Sequence, residues 1–200
     1  MLDWIKNMMT TLGYPGVTFL MFLENIFPPL PSELIMPLAG FATTDGQLSL
    51  IGVSIAGTLG SVLGALPLYA LGRWVGKDRL VQWADRYGKW LTVSGDDICR
   101  ADDWLTRHGS KAVFFCRLVP GIRSLISIPA GMSTMNVAQF LIYTALGAGI
   151  WTVALAYGGR ALGNNYELID RYLGPISSVV LGGLVLGAAI WVWQRRRDRA

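Results

Sequence analysis

Charge is the scarcest commodity in this 200-residue chain. Asp, Glu, Lys and Arg make up 15% of it, and none occurs from Gly46 to Gly72, from Ser124 to Gly159 or from Tyr172 to Gln194. Crossing a bilayer takes roughly 20 apolar residues, so each of these runs is long enough for a transmembrane helix. Cysteine is nearly absent. Cys99 and Cys116 share no CxxC spacing, which argues against a disulfide framework and leaves two reduced thiols. The single histidine, His108, has no second ligand nearby, so no metal site is expected. The chain has no Gly-rich phosphate loop, no GxSxG and no HExxH, and no enzyme activity is expected of it. The first 25 residues lack the basic start and small-residue cleavage site of a signal peptide.

What is present is 52% hydrophobic, with a net charge of +4. This composition predicts an all-α integral membrane protein, with residues 1–200 forming a single membrane domain. Four ionisable residues interrupt its apolar stretches beside prolines. Glu24 and Glu33 flank the break in ENIFPPLPSELIMP (Glu24 to Pro37), and Arg117 and Arg123 flank the break in RLVPGIRSLISIP (Arg117 to Pro129). In a bilayer each such charge costs about 2.5–3.5 kcal/mol even on the lenient insertion scale. The prolines also free backbone groups that hydrocarbon cannot satisfy. Two acids in one place and two bases in the other point to use.

Pro28 to Glu33 divides Gly13–Ala42 into halves of about a dozen residues, too short to cross and typical of a re-entrant piece. Pro120-Gly121 divides Ala112–Met132 in the same way. Both stretches read as helical hairpins that turn inside the membrane and leave on the side they entered. At an offset of 92, Pro28 falls on Pro120, Ser32 on Ser124 and Pro37 on Pro129, and at an offset of 87 Gly72-Arg73 matches Gly159-Arg160. The expected plan is therefore an inverted repeat of two re-entrant hairpins, each followed by a transmembrane helix. Residues 1–72 form the first repeat and 112–163 the second. An amphipathic interfacial segment over 73–111 joins them, and 164–200 supply a last transmembrane helix and a basic tail. Facing broken helices of this kind are the plan of secondary transporters.

Counting crossings puts the middle segment and the tail on one side. The middle segment carries eight Lys/Arg, and the tail has Arg195, Arg196, Arg197 and Arg199, against mainly Lys6, Arg160 and Arg171 opposite. Positive charge marks the cytoplasm, so the C-terminus is expected there. In the middle segment Leu80, Trp83, Tyr87, Trp90 and Leu91 follow helical spacing, as do Ile98, Ala101, Trp104 and Leu105 after a capped start at Ser94. Such helices are expected to lie on the bilayer as a connector. Gly52, Ala56, Gly60 and Gly64 form a smooth helix face for close packing.

The charged constellation has two readings. The acids can pair with the arginines and simply pin one hairpin to the other. Alternatively, the arginines present planar forks that hold phosphate oxygens in pairs. Free N–H groups at the break, with a helix restarting near Ser124, add anion donors. Glu24 and Glu33, desolvated, would then take and release protons near neutral pH.

These residues carry a resemblance. The chain is similar to the DedA family, bacterial relatives of the eukaryotic VTT-domain lipid scramblases. The likeness rests on Glu24-Asn-Ile-Phe-Pro-Pro-Leu-Pro-Ser-Glu33, Pro37-Leu-Ala-Gly40, Gly72-Arg73, and Phe115-Cys-Arg117-Leu-Val-Pro120-Gly-Ile-Arg123 with Pro129-Ala-Gly131. Ser32 departs from the glycine common there. The resemblance implies an inner-membrane protein tied to envelope integrity and to the membrane potential, some of whose relatives return undecaprenyl phosphate across the membrane. By motif match, Glu24 and Glu33 correspond to the family's essential acids and Arg117 and Arg123 to its essential arginines. Arg73 and Arg160 fall on supporting or gating positions. The expected function is a flippase for a lipid phosphate, most simply undecaprenyl phosphate. Arg117 and Arg123 would bind the phosphate, with Glu24 and Glu33 coupling to protons. The alternatives are a proton-coupled transporter of a small ion or solute, a lipid-phosphate phosphatase, and an envelope scaffold. The expected partners are an anionic phospholipid or polyprenyl phosphate, the membrane and protons. No cofactor, metal or nucleic acid is expected, and a homo-oligomer is an allowed assembly.

Overall fold

The computed structural model describes residues 8–9, 11–26, 32–44, 46, 48–91, 94–119, 122–133 and 135–162. The Pro28–Pro31 break, Pro120-Gly121, and the expected last transmembrane helix with its basic tail lie outside these. Among the described residues every regular element is helical. In chain order the elements are α1 (Tyr14–Ile26), α2 (Ser32–Phe41), α3 (Leu50–Val75), α4 (Lys77–Leu91), α5 (Gly95–His108), α6 (Ser110–Arg117), α7 (Ser127–Met132) and α8 (Val137–Leu162). Two of them, α3 and α8, are long and apolar enough to cross a bilayer. At 1.5 Å per residue each is about 39 Å long. Ser49 caps α3, its Oγ accepting from the Gly52 N–H at 3.0 Å. The Tyr14 hydroxyl in turn accepts from the Ser49 N–H at 2.8 Å, fixing the start of α1 beside the start of α3.

The long helices cross in opposite senses. Thr58 meets Thr152 hydroxyl to hydroxyl at 3.0 Å and lies beside Gly149, while Thr152 also reaches the Ser54 carbonyl one turn earlier on α3. The short helices pack on them reciprocally. α1 lies along α3 and α6 along α8, whereas α2 packs on α8 and α7 on α3. α1 runs parallel to α3, because Tyr14 adjoins Gly52, Thr18 adjoins Ala56 and Asn25 adjoins Gly64. α6 likewise runs with α8, from Ser110 beside Gln139 to Arg117 beside Gly147.

Small residues make these approaches feasible. Gly64 accommodates the Phe22 carbonyl and the Asn25 Cβ, and Gly147 accommodates the Phe114 carbonyl and the Arg117 Cβ. Gly40 touches the Ala156 carbonyl and Gly131 the Tyr69 carbonyl; Gly159 touches that of Pro37 and Gly72 that of Ile128. In each case a Cβ would overlap backbone, so only glycine permits the contact. The Gly52–Gly64 face predicted for close packing receives α1. The glycines of the two Gly-Arg pairs are contact points between α3 and α7 and between α8 and α2.

The middle segment forms two paired helices. α4 and α5 pair through Lys77 Nζ and Asp102 Oδ2 at 2.7 Å and through the Gly95 N–H donating to Asp85 Oδ1. The hydrogen bond and the negative charge of Asp102 raise the Lys77 ammonium above the usual lysine value. α5 starts as the sequence predicts, with the Ser94 N–H donating to Asp97 Oδ2. Leu105, however, is fully buried with Tyr69, Val113 and Phe140, which seats α5 against the spanning body. Trp83 and Trp104 stay exposed. The side chains of Tyr87, Trp90 and Leu91 are not among those described.

Candidate functional site

Helical periodicity delivers the acid. The buried residues of α1 are Gly16, Val17, Leu20, Met21, Glu24 and Asn25, one face at steps of four and five. The stripe that packs Leu20 and Met21 into the core therefore carries Glu24 and Asn25 inward with it. The same rule buries Ala112, Val113 and Arg117 on α6. Beyond the break the chain turns tightly through Ile122–Ile126, burying Arg123 and Ser124, and enters α7 at the buried Ser127.

These elements bring both arginines to the end of α1. Arg123 Nη2 forms a buried ion pair with Glu24 Oε1, across 99 residues of sequence. Arg117, 2% exposed, takes a different set of partners. Its Nη1 donates to Asn25 Oδ1 at 3.2 Å, its Nη2 donates to Ser127 Oγ at 2.9 Å, and its guanidinium lies 5.9 Å from the centroid of the Phe140 ring. Among the described residues no carboxylate is within ion-pair distance of Arg117. Arg117 Nε and Glu24 Oε2 are also buried without a hydrogen-bond partner there. The arrangement can hold an anion: one guanidinium is paired with a carboxylate, and the other meets, among the described residues, an amide, a hydroxyl and a π face.

The remaining predicted residues separate. Glu33, in the first turn of α2, is partly buried and close enough to Glu24 for their charges to interact. Arg73 has an exposed side chain and donates to the Tyr69 hydroxyl at 3.1 Å. Tyr69 stacks on Phe140 at 4.4 Å, so Arg73 reaches Arg117 only through two aromatic rings. Arg160 is exposed at the end of α8. The sequence reading missed Asn25, Ser127 and Phe140. A signal for Asn25 existed, because the repeat offset of 92 places it on Arg117, its partner in space.

Beside the site, α1 and α3 bound a lateral apolar cavity of about 650 Å³, lined by Tyr14, Thr18, Phe19, Phe22, Ile55 and Leu63 among others. Of its lining residues, Phe22 lies against Gly64, as does Asn25.

The VTT domain family matches residues 29–161. An "alkaline phosphatase-like protein" of Lactococcus lactis subsp. lactis is 46% identical over 98% of this chain and 94% of its own length. Proteins named undecaprenyl phosphate transporter A are 34% identical in Staphylococcus aureus, over 96% of this chain and 97% of theirs, and 29% identical in Bacillus subtilis, over 98% and 93%. No solved structure matches the chain. With a family match over most of its length and full-length relatives above 30% identity, this membrane protein belongs to the VTT-domain, or DedA, family.

Proposed function

We propose that this protein carries a lipid phosphate, most simply undecaprenyl phosphate, across the bacterial inner membrane. The observation that carries the reading is a buried guanidinium, Arg117, whose hydrogen-bond partners among the described residues are neutral, beside the Arg123–Glu24 pair. An unpaired charge at that depth is costly, and a phosphate oxygen pair offsets the cost by matching the guanidinium fork. Relatives named undecaprenyl phosphate transporter A support the lipid class. The apolar cavity beside α1 gives a hydrocarbon tail a lateral path while the headgroup sits at the arginines.

In this reading the whole chain is one membrane domain. Two re-entrant hairpins, α1–α2 and α6–α7, form an inverted repeat, supported by the reciprocal packing on α3 and α8. The basic middle segment and the C-terminus face the cytoplasm. Glu24 and Glu33 exchange protons: ionised they repel the phosphate and compete for the arginines, and protonated they admit it. The membrane potential contributes about 2.3 kcal/mol per charge per 100 mV, a roughly fiftyfold bias on a two-state carrier. Arg73 supports Arg117 through Tyr69 and Phe140, and Arg160 serves at the opposite membrane edge.

The experiment is transport of undecaprenyl phosphate in proteoliposomes by wild type and Arg117→Lys. The reading expects transport by wild type and severe impairment in the variant. Equal transport by both overturns the phosphate role of Arg117, and transport of a labelled soluble ion without lipid overturns the lipid class.

A further inference from the structure

The two buried arginines are held differently, and the difference is one of charge. Arg123 meets a carboxylate, Glu24, whereas Arg117 meets the carboxamide of the adjacent residue, Asn25. Asn25 is 3% exposed and sits on Gly64, where α1 and α3 are in backbone contact, so its position is fixed. Its Nδ2 donates to the Met21 carbonyl at 3.2 Å, which turns Oδ1 toward Arg117. Ser127 completes the hold on Nη2 with a second neutral oxygen.

Asparagine and aspartate have the same shape and nearly the same size. An aspartate at 25 would meet Nη1 in the same geometry and neutralise it, as Glu24 neutralises Arg123. The amide thus does two things a carboxylate cannot: it donates to the Met21 carbonyl, and it leaves the Arg117 charge uncompensated by its own group. We infer that Asn25 is a positioning residue that orients the Arg117 fork while leaving its positive charge for an anionic ligand. The inference rests on the proposed binding of a phosphate at this site and adds the residue that keeps the site cationic. The apolar groove between α1 and α3, lined in part by Phe22 three residues from Asn25, makes a phosphate on a hydrocarbon chain the fitting ligand class.

The test measures ligand-induced shifts in thermal unfolding of the full-length purified chain in detergent. The probes are undecaprenyl phosphate in mixed micelles and, separately, inorganic phosphate. The proteins are wild type, Asn25→Ser, which stays neutral, and Asn25→Asp, which adds a negative charge and gives up the donor to the Met21 carbonyl. Ser127→Asp, placing a carboxylate against Nη2, is a second charge variant should Asn25→Asp fold poorly. Wild type is expected to be stabilised by the lipid phosphate, and Asn25→Ser, which keeps the site cationic but gives up the contact to Nη1, to bind more weakly than wild type and more tightly than either aspartate variant. Both aspartate variants are expected to bind at least about tenfold more weakly, each judged by the shift the ligand adds to that variant's own unliganded midpoint. Stabilisation of wild type by inorganic phosphate alone, lost in the aspartate variants, supports the role of Asn25 while contradicting the lipid reading. Equal stabilisation of wild type and the aspartate variants overturns the inference and leaves the lipid reading standing. No stabilisation of wild type by either probe overturns both.

Discussion

Glu24 on α1 and Arg123, 99 residues later, form an ion pair in the interior, each less than a tenth exposed. The pair joins the two proline-broken segments directly. The simple pinning role is therefore part of the structure, but it uses only one acid and one base.

Breaking that pair from one side should be costly. Arg123→Ala leaves Glu24 buried without its cation and is expected to destabilise the protein by about 3–5 kcal/mol. The double variant Glu24→Gln/Arg123→Met removes both charges and should lose less. Unfolding midpoints of the two variants in the same detergent check the order, and a double variant weaker than Arg123→Ala would contradict it.

Arg117 is expected to resist replacement by lysine. Its two terminal nitrogens reach Asn25 and Ser127 separately, a division one ammonium cannot reproduce in plane. Transport by Arg117→Lys should fall at least about tenfold while the folded fraction is retained. Rates normalised to folded protein in proteoliposomes measure this.

The reciprocal glycines predict a paired stability effect. Gly40→Ala and Gly131→Ala each drive a methyl group into a backbone carbonyl, that of Ala156 and that of Tyr69. Each should cost about 1–3 kcal/mol. Gly158, on the same helix as Ala156, faces open space, and Gly158→Ala should be neutral or slightly stabilising. Thermal unfolding of the three variants gives the comparison.

Lys77 and Asp102 link α4 to α5 outside the spanning helices, and the folded protein raises the lysine above its usual value of 10.5. A raised value means that the folded state holds the proton more tightly. The pair's contribution is therefore complete below the ordinary lysine range and is lost as pH climbs through the raised value. Wild type should lose thermal stability relative to Lys77→Met only at strongly alkaline pH. A difference between them that is flat across that range would contradict the assignment.

Much of this organisation was legible from the sequence, for identifiable reasons. Two of the three charge-free runs hold α3 and α8, because length and apolarity decide a candidate span; the third, Tyr172 to Gln194, lies outside the described residues. Glu24 was readable as buried because it continues the Gly16–Val17–Leu20–Met21 stripe. The Gly52–Gly64 face was readable as a packing surface, though not its partner α1, since spacing says that a face is smooth and not what lies on it. Asn25 escaped because the repeat was sought through identical residues, and its counterpart at offset 92 is an arginine. Arg73 and Arg160 share a motif, yet both are exposed away from Glu24, because the glycine beside each is the packing element. The docking of α5 through Leu105 needed tertiary contacts that an amphipathic pattern does not specify.

The most direct test is headgroup accessibility of undecaprenyl phosphate in proteoliposomes, comparing wild type with Arg123→Ala with and without a pH gradient. The account predicts that wild type moves the phosphate between leaflets faster under the gradient and that Arg123→Ala does not move it. Equal movement by both proteins, or by wild type with no response to the gradient, would contradict it.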